Sequence, residues 1–398
     1  MPNFSPVTKI DEIRYPYFYL RDAAPSSRSG SRKVVFFGTD YQNLPAAVNR
    51  EAYVAMTNRC LDAVRRWHPH AELFYRPHPV ETEAERVELN LSDFQIVSDD
   101  ALGEMYLIKR LPEIDATYST CSGVSISAFN LGLNSHVFTP VFRDIFDADT
   151  RDAYHEYFKA LPAGFFIDQL DSEPKYCAGA LAMDEVLERR MREIVDGHQG
   201  SIWFVVISPG MLPSTLAISR LLRQIAPERK QILTIVRHRR WDRVSRVEYA
   251  DNFDEIHIFP RLLYPIDLRG LVRAFRTAIR IRNLDVSSRD IILGFSHYDF
   301  VENCFISYHP ECAKVEFMEK HIFDYNYGVR RDEGEGSRFR HRTFSNALYS
   351  FILEPIWKLH RTEFRYMADG KVMNLTRYQN SMQGIYDQVF VLGSKGER

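Results

Sequence analysis

Short apolar runs alternate with segments of helical periodicity along the first part of the chain. The apolar runs predict strands at residues 33–39, 71–75, 94–97, 116–118 and 136–139. Apolar residues at three- and four-residue spacing predict helices between these strands, the longest at residues 50–67. Strands that alternate with helices are typical of a parallel sheet with helices on both faces.

The alternation restarts after a charged, helical segment at residues 143–196, whose last helix stops at Asp196-Gly197. Further strands are predicted at 202–207, 232–236, 255–259, 291–295 and 314–317, and helices at 268–281 and 344–359. The apolar run at 388–394 is either the last strand of this half or a strand that crosses to the other half. We therefore predict two α/β domains, residues 1–196 (with a core at 33–140) and 197–398, with a ligand in the cleft between them.

Composition and charge narrow the classes of function. The net charge of −2 gives no general attraction for nucleic acid, and no apolar run reaches the ~18–20 residues that span a bilayer. The N-terminus lacks the basic and apolar regions of a secretory signal. The five cysteines show no CxxC spacing, so we expect neither a disulfide framework nor a zinc site. These features favour a cytoplasmic protein.

A histidine between two prolines follows the second predicted strand, in the sequence Arg76-Pro77-His78-Pro79. An imidazolium here would stabilise the negative charge that develops on a departing nucleotide phosphate. The prolines restrict the backbone and so hold the ring in place. The alternative is a turn histidine without a catalytic role, since the chain contains two other His-Pro pairs, at 68–69 and 309–310.

Several hydroxyl groups follow the fourth predicted strand and lead into a helix. Ser119, Thr120, Ser122 and Gly123 would form a phosphate cradle if the hydroxyls added donors to the free N–H groups of the helix start. The alternative is ordinary N-capping, which requires only one hydroxyl.

Together these two motifs resemble those of the bacterial sialyltransferases of GT-B fold, over roughly residues 33–140. The resemblance implies a GT-B-like α/β fold with two Rossmann-like domains that face a cleft. It also implies that His78 contacts the phosphate of CMP-sialic acid and protonates the departing CMP, while Ser119 and Thr120 bind the phosphate. Arg76, Pro79, Ser122 and Gly123 would complete the donor site. Kdo transferases use a similar donor, CMP-Kdo, and remain an alternative.

The second half resembles the acceptor domain of that family more weakly. Ser214 lies in a loop that corresponds to a loop near the substrates, and Ser296 and His297 follow a predicted strand on the acceptor side. Residues 315–325 fall where the family has an acidic pair followed by glycine, which supplies the catalytic base. Only Glu319 matches that pattern, so Glu319 and Asp324 are both candidates for the base. The alternative is that both are loop carboxylates. A Ser-His-Asp triad at 296–299 is disfavoured, because residues so close in sequence rarely reach that geometry.

The order of the two halves departs from the family, which usually places the acceptor domain first. We interpret this as circular permutation, which closely spaced surface termini permit. A swapped homodimer that completes each cleft is the alternative. Three basic clusters, at 237–246, 269–282 and 338–342, are interpreted as solvated surfaces, with contact to an anionic acceptor or to inner-membrane phosphate groups as the alternative.

The sequence therefore predicts an inverting glycosyltransferase that transfers sialic acid from CMP-sialic acid to a bacterial surface glycan, free or lipid-linked. It predicts no metal and no cofactor apart from the nucleotide sugar itself. The alternatives are a transferase for Kdo or another nucleotide sugar, and a non-catalytic glycan- or nucleotide-binding protein.

Overall fold

The computed structural model of the chain contains two compact units. One comprises residues 14–183, and the other comprises residues 184–393 together with the described residues that precede Arg14. The structure describes residues 9–20, 32–39, 48–78, 81–97, 102–159, 161–237, 241, 244–260, 268–295, 300–319 and 386–393. The predicted helix at 344–359 and the candidate residues Pro79, Ser296, His297 and Asp324 lie outside these ranges.

Strand β1 (Lys9–Arg14) belongs to the sheet of the second unit, and the first unit contains the next five strands. These five strands pair in parallel in the order β4-β3-β2-β5-β6. Their bounds are β2 (Lys33–Phe37), β3 (Glu72–Arg76), β4 (Phe94–Ile96), β5 (Ile114–Ser119) and β6 (Asn134–Val137). All five predicted strands of this half are present, with ends that differ by no more than two residues.

Helices cover the sheet of the first unit and complete its core. The longest begins after Asn49, whose side chain accepts a hydrogen bond from Ala52 N at 3.0 Å. Its buried Tyr53, Leu61 and Val64 join the core of the sheet. The helices are α1 (Arg50–Trp67), α2 (Glu83–Arg86), α3 (Gly103–Arg110), α4 (Val124–Asn130) and α5 (Ala148–Phe158).

The second unit has a seven-stranded sheet in the order β1-β12-β11-β10-β7-β8-β9. Every pair from β12 to β9 is parallel. The strands are β7 (Ile202–Val206), β8 (Gln231–Arg237), β9 (Glu255–Pro260), β10 (Ile291–Gly294), β11 (Ala313–Glu319) and β12 (Gln388–Gly393). The helices are α6 (Glu185–Gly197), α7 (Leu212–Ile225), α8 (Leu268–Arg282) and α9 (Phe300–Tyr308).

The two ends of the described chain meet at one edge of this second sheet. Strand β12 pairs with β11, so the final apolar run is the last strand of the second half and does not cross to the first. Strand β1 precedes the first unit in sequence but belongs to the sheet of the second unit. The sequence did not predict this strand. Asp11 on β1 binds Arg190 of α6 and Gln388 of β12, each at 3.1 Å, and thereby fixes the strand at this edge.

The boundary between the units lies before α6, at residues 183 and 184. The sequence had indicated a boundary after this helix, at residues 196 and 197. Asp184 caps α6 by accepting hydrogen bonds from Val186 N and Leu187 N at 3.0 and 3.2 Å. The apolar stripe of α6 is buried, and its Arg190 binds Asp11 of the second sheet. The Asp-Gly stop after this helix therefore marks the end of a helix within the second unit. It stays a prediction that the first unit binds the nucleotide-sugar donor and that the second unit binds the acceptor.

Both sheets have the strand order of a Rossmann fold. Counted from β2, the first sheet reads 3-2-1-4-5, and counted from β7 the second reads 3-2-1-4-5-6 with β1 added at the edge. The predicted α/β class with two Rossmann-like domains is confirmed, whereas the GT-B arrangement of the two domains stays a prediction. The cleft and the permutation stay predictions. Within the described ranges no helix is both long and apolar enough to cross a membrane.

Asp290 ties the start of β10 to that of β7. Its carboxylate is 4% exposed and accepts hydrogen bonds from Ser201 N and Trp203 Nε1 at 2.9 Å and from Ser287 N at 3.1 Å. Removal of this buried carboxylate would leave each of its hydrogen-bond donors without an acceptor, and this lowers the free energy of unfolding.

We expect Asp290→Ala to lower the free energy of unfolding by about 3 kcal/mol, since hydrogen bonds to a charged group contribute roughly 1.5–3 kcal/mol each. Urea denaturation followed by circular dichroism measures this change. The exposed Asp285→Ala is the matched control, with an expected change under about 0.5 kcal/mol. A loss below 1 kcal/mol for Asp290→Ala would contradict this role.

Candidate functional site

The candidate site lies where the strand order of the first sheet reverses, at the carboxyl ends of β2 and β5. Phe37 of β2 pairs with Arg76 of β3 on one side and with Ser119 of β5 on the other. The three loops that follow these strands therefore leave the sheet at the same level, about 5 Å apart from strand to strand. Ligands bind at this position in open α/β sheets, because the loops diverge and leave a crevice.

Hydroxyl groups from three elements meet at this edge. The hydroxyl of Tyr53 donates to Thr39 Oγ1 at 3.2 Å and lies 2.7 Å from Thr120 Oγ1, and the two threonine hydroxyls contact each other. Cys121 extends the group by donating from Sγ to the hydroxyl of Tyr154 at 3.3 Å. Burial raises the pKa of the Cys121 thiol, which disfavours the reactive thiolate.

The predicted phosphate-binding hydroxyls are directed into the protein. Ser119 Oγ lies 2.7 Å from Ser125 Oγ and accepts a hydrogen bond from Ser122 N at 3.0 Å. Ser119 is 0% exposed and Thr120 is 1% exposed. Ser122 and Gly123 are half-buried at the start of α4, so they keep partial access to solvent. The sequence therefore located the cluster, but not the internal hydrogen bonds that occupy its first two members.

Gly123 is closely covered by α5, because a Cβ at this position would collide with the hydroxyl of Tyr157. A larger residue at 123 would require the Tyr157 side chain to shift. Glycine at this position allows the Tyr157 hydroxyl to lie close to the loop before α4.

The loop of His78 rests on a buried carboxylate. Oε2 of Glu81 accepts hydrogen bonds from the Tyr75 hydroxyl at 2.9 Å and from His78 N at 3.2 Å, while Glu81 N donates to His78 O at 2.8 Å. Glu81 is 8% exposed and His78 is half-buried. The two hydrogen bonds between Glu81 and His78 hold the backbone of the His78 loop in place.

Gly38 makes this arrangement possible. A Cβ at position 38 would lie 2.5 Å from the Tyr75 hydroxyl, 3.0 Å from His78 N and in collision with the Glu81 carboxylate. The glycine after β2 thus lets the His78 loop and Glu81 approach the central strand. Sequence analysis did not single out Glu81, because burial of a lone acid leaves no pattern in the sequence.

Burial raises the pKa of Glu81 to about 7, and the hydrogen bonds from Tyr75 and His78 N only partly oppose that effect. The carboxyl group beside the His78 loop therefore changes charge near neutral pH. Arg76, the other ionisable residue of the motif, is 6% exposed, and its guanidinium lies 4.7 Å from the centre of the Tyr106 ring. The sequence predicted that Arg76 belongs to the site that binds the sugar donor. The structure places its guanidinium against Tyr106 of α3.

In the second unit, Ser214 is 2% exposed in the first turn of α7. Glu319 ends β11 and is half-buried, and desolvation raises the pKa of its carboxyl to about 7. Two further carboxylates, Glu302 and Glu316, are fully buried against Gly294 at the end of β10, where a Cβ would collide with both. Sequence analysis missed this pair, because one member lies within a strand and the other within an apolar helix.

The described residues contain no group of three His, Cys, Asp or Glu that could hold a metal ion. The polar groups described at the edge of the first sheet include hydroxyls, the His78 imidazole and the Glu81 carboxyl. This set suits hydrogen bonding and proton transfer to an organic phosphate or sugar.

No protein-family model matches the chain, and no curated protein matches it. Among solved structures, the chain is similar to UDP-GlcNAc 2-epimerase from Neisseria meningitidis, crystallised with bound UDP-GlcNAc. The identity is 10%, the match covers 82% of this chain and 93% of that chain, and the TM-score is 0.20.

The ionisation of Glu81 gives stability a pH dependence with a definite sign. The pKa in the folded chain, about 7, exceeds the ordinary value of 4.5, so the folded state retains a proton that the unfolded chain releases. The bound proton therefore contributes fully to the free energy of unfolding below about pH 4.5, and this contribution is lost as the pH rises through 7. The full effect is about 3 kcal/mol.

We expect Glu81→Gln to remove this dependence, because glutamine is neutral and can still accept the hydrogen bond from Tyr75. The stability difference, variant minus wild type, should rise by up to about 3 kcal/mol between pH 4.5 and 8 in urea denaturation. The exposed Glu83→Gln controls for loss of a carboxylate from the same segment. A Glu81→Gln difference that stays constant over this pH range would show that the carboxyl is not desolvated as described.

Proposed function

We propose that the protein is a glycosyltransferase that takes its sugar from a nucleotide-activated donor bound at the carboxyl edge of the first sheet. One observation carries the proposal: the loops of Gly38, His78 and Ser119–Gly123 leave three adjacent parallel strands at the same level, at the strand-order reversal. This position suits a nucleotide and its phosphate. The supported backbone of the His78 loop suits a residue that must meet a phosphate in a fixed geometry.

The donor we propose is CMP-sialic acid, since the motifs around His78 and Ser119 resemble those of the GT-B sialyltransferases. A CMP-activated sugar has a single phosphate, which matches one imidazole on one side of the crevice and the Ser122–Gly123 turn on the other. His78 would donate a proton to the phosphate as the bond between that phosphate and the anomeric carbon breaks.

The base we propose is Glu319 of the second unit. It would take the proton of an acceptor hydroxyl, whose oxygen forms the new bond to the anomeric carbon from the opposite face, so that the configuration inverts. The pKa of about 7 supports this role, because a general base works best when its pKa lies near the working pH. The acceptor would be a bacterial surface glycan, free or lipid-linked.

A second candidate is a nucleotide- or glycan-binding protein that has lost catalysis. The internal hydrogen bonds of Ser119 and Thr120 favour it, because these hydroxyls are predicted to hold the phosphate during transfer. A transferase for Kdo or another nucleotide sugar is the nearer alternative.

We expect His78→Ala to lower donor turnover at least 100-fold, since a positioned general acid contributes roughly 10²–10⁴-fold. The assay measures release of CMP from CMP-sialic acid, with CMP-Kdo, UDP-sugars and GDP-sugars tested in parallel. His70→Ala is the matched control, because His70 is exposed before β3 and should keep wild-type turnover. Circular dichroism verifies that both variants fold.

Three results of this assay separate the candidates. Turnover of CMP-sialic acid that depends on His78 supports the proposal. Turnover confined to a different donor identifies another transferase, and tight binding of a cytidine nucleotide without turnover of any donor identifies a binding protein. Near-normal turnover by His78→Ala would remove His78 from the mechanism.

A further inference from the structure

Helix α8 of the second unit is buried along one side only. Ala274, Ala278 and Ile281 are at most 3% exposed and pack into the core beneath the sheet. The opposite side exposes large apolar residues together with arginines. Val272 is 46% exposed, Phe275 52% and Ile279 43%, and the helix contains five arginines and no acidic residue. An exposed helix face with this many apolar side chains requires an explanation.

The exposed residues form two separate stripes along α8. At about 100° per residue, Arg269, Arg273, Arg276 and Arg280 fall within a sector of about 60°. Val272, Phe275 and Ile279 fall within another sector of about 60°, centred about 100° from the first. Arg282 borders the apolar stripe on its far side. We call this face, formed by the apolar stripe and its flanking arginines, the α8 face.

The arginine stripe borders a cavity of about 560 Å³ between α8 and β9. Phe259 and Pro260 of β9 line its opposite wall. Arg280 is anchored there, because its Nη1 donates to Ile258 O at 3.0 Å and its guanidinium lies 4.5 Å from the centre of the Phe259 ring. The cavity thus offers guanidinium groups at an apolar wall.

Among the described residues, no acidic side chain forms an ion pair with an arginine of α8. Glu255, on the adjacent strand β9, pairs with Lys230 at 2.5 Å and with His257 at 2.9 Å. The α8 face is therefore a site of positive potential next to exposed apolar surface.

We propose that the α8 face binds the surface of an anionic lipid bilayer. The apolar stripe lies in the plane of the interface, and the flanking arginines contact lipid phosphates, one of which enters the cavity beside Phe259. This inference goes beyond the proposed function and does not depend on it. A bilayer fits both stripes, whereas a soluble polyanion leaves the apolar stripe exposed.

A second copy of the chain fits the α8 face less well. A two-fold contact through this face would bring the arginines of one copy close to those of the other, and like charges at an interface oppose association. Anionic lipid supplies the opposite charge and an apolar interior together, so charge complementarity favours the bilayer.

The test is cosedimentation of the full chain with vesicles of phosphatidylcholine and phosphatidylglycerol, compared with vesicles of phosphatidylcholine alone. We expect binding to the anionic vesicles, little binding to the neutral ones, and weaker binding as salt rises. Arg273→Glu combined with Arg276→Glu should weaken binding at least tenfold, since each basic residue near an anionic surface contributes about fivefold. Phe275→Ser combined with Ile279→Ser should also weaken it at least tenfold, through loss of inserted apolar area.

Arg59→Glu combined with Lys109→Glu is the matched control. Both residues are exposed on helices of the first unit, so this variant carries the same charge change away from the α8 face and should bind like wild type. Circular dichroism and thermal denaturation establish that each variant folds.

Five outcomes would overturn the proposal. The first is no binding to anionic vesicles by the wild-type chain, and the second is equal loss of binding in the control variant. The third is unchanged binding by the serine variant, because arginines would then act without insertion. The fourth is a dimer, detected by gel filtration, that the α8 variants dissociate. Saturation of the site by inorganic phosphate without vesicle binding would likewise indicate a soluble anion as its ligand.

Discussion

The parallel register of three strands determines the candidate site of the first unit. Phe37 lies between Arg76 and Ser119 at the same level of the sheet, so the loops that follow β2, β3 and β5 must begin side by side. The strand order reverses at β2, which makes the loops after β2 and β5 diverge. Residues about 40 positions apart in sequence thereby share one edge, and every role proposed for His78 and Ser122 depends on this register.

The site combines a rigid foundation with a carboxyl group that titrates. Gly38 permits close contact between the central strand, the Tyr75 hydroxyl and Glu81, and Glu81 in turn holds the backbone of the His78 loop. A support of this kind fixes a catalytic loop without contacting substrate. Because the same carboxyl has a pKa of about 7, the loop is supported by a neutral acid at low pH and by a carboxylate at high pH. The stability of the fold and the charge beside the His78 loop therefore both depend on the protonation of Glu81.

Periodicity predicted most of the fold, because buried parallel strands are short continuous apolar runs that turn residues interrupt. The strands around Val34, Tyr75 and Leu293 follow this rule. The strand at Lys9–Arg14 does not, since its sequence KIDEIR is mostly charged and it lies at a sheet edge with Ile10 exposed. The boundary near residue 184 was missed because a helix stop has the same sequence signal inside a domain as at its end.

The sequence predicted loops after neighbouring strands, which the structure places at one edge of the sheet, but it did not predict the contacts within them. Proline and histidine after an apolar strand identify a loop at the edge of a sheet, and hydroxyl residues before a helix identify a second. Hydrogen-bond partners depend on three-dimensional neighbours, however, so the sequence could not reveal that Thr120 bonds to Tyr53 and Thr39. Glu81 escaped notice for the same reason: its importance comes from burial against Gly38, and burial of a lone acid has no sequence pattern.

The most direct test of this account is hydrogen-exchange mass spectrometry of the full chain with and without CMP. The account predicts slower exchange on CMP binding in the segments 37–39, 77–78, 81–82 and 119–124, which lie at the edge of the first sheet. It also predicts that His78→Ala weakens this protection and that His70→Ala preserves it. Protection confined to the second unit, or no protection anywhere at saturating CMP, would contradict the assignment of the nucleotide site.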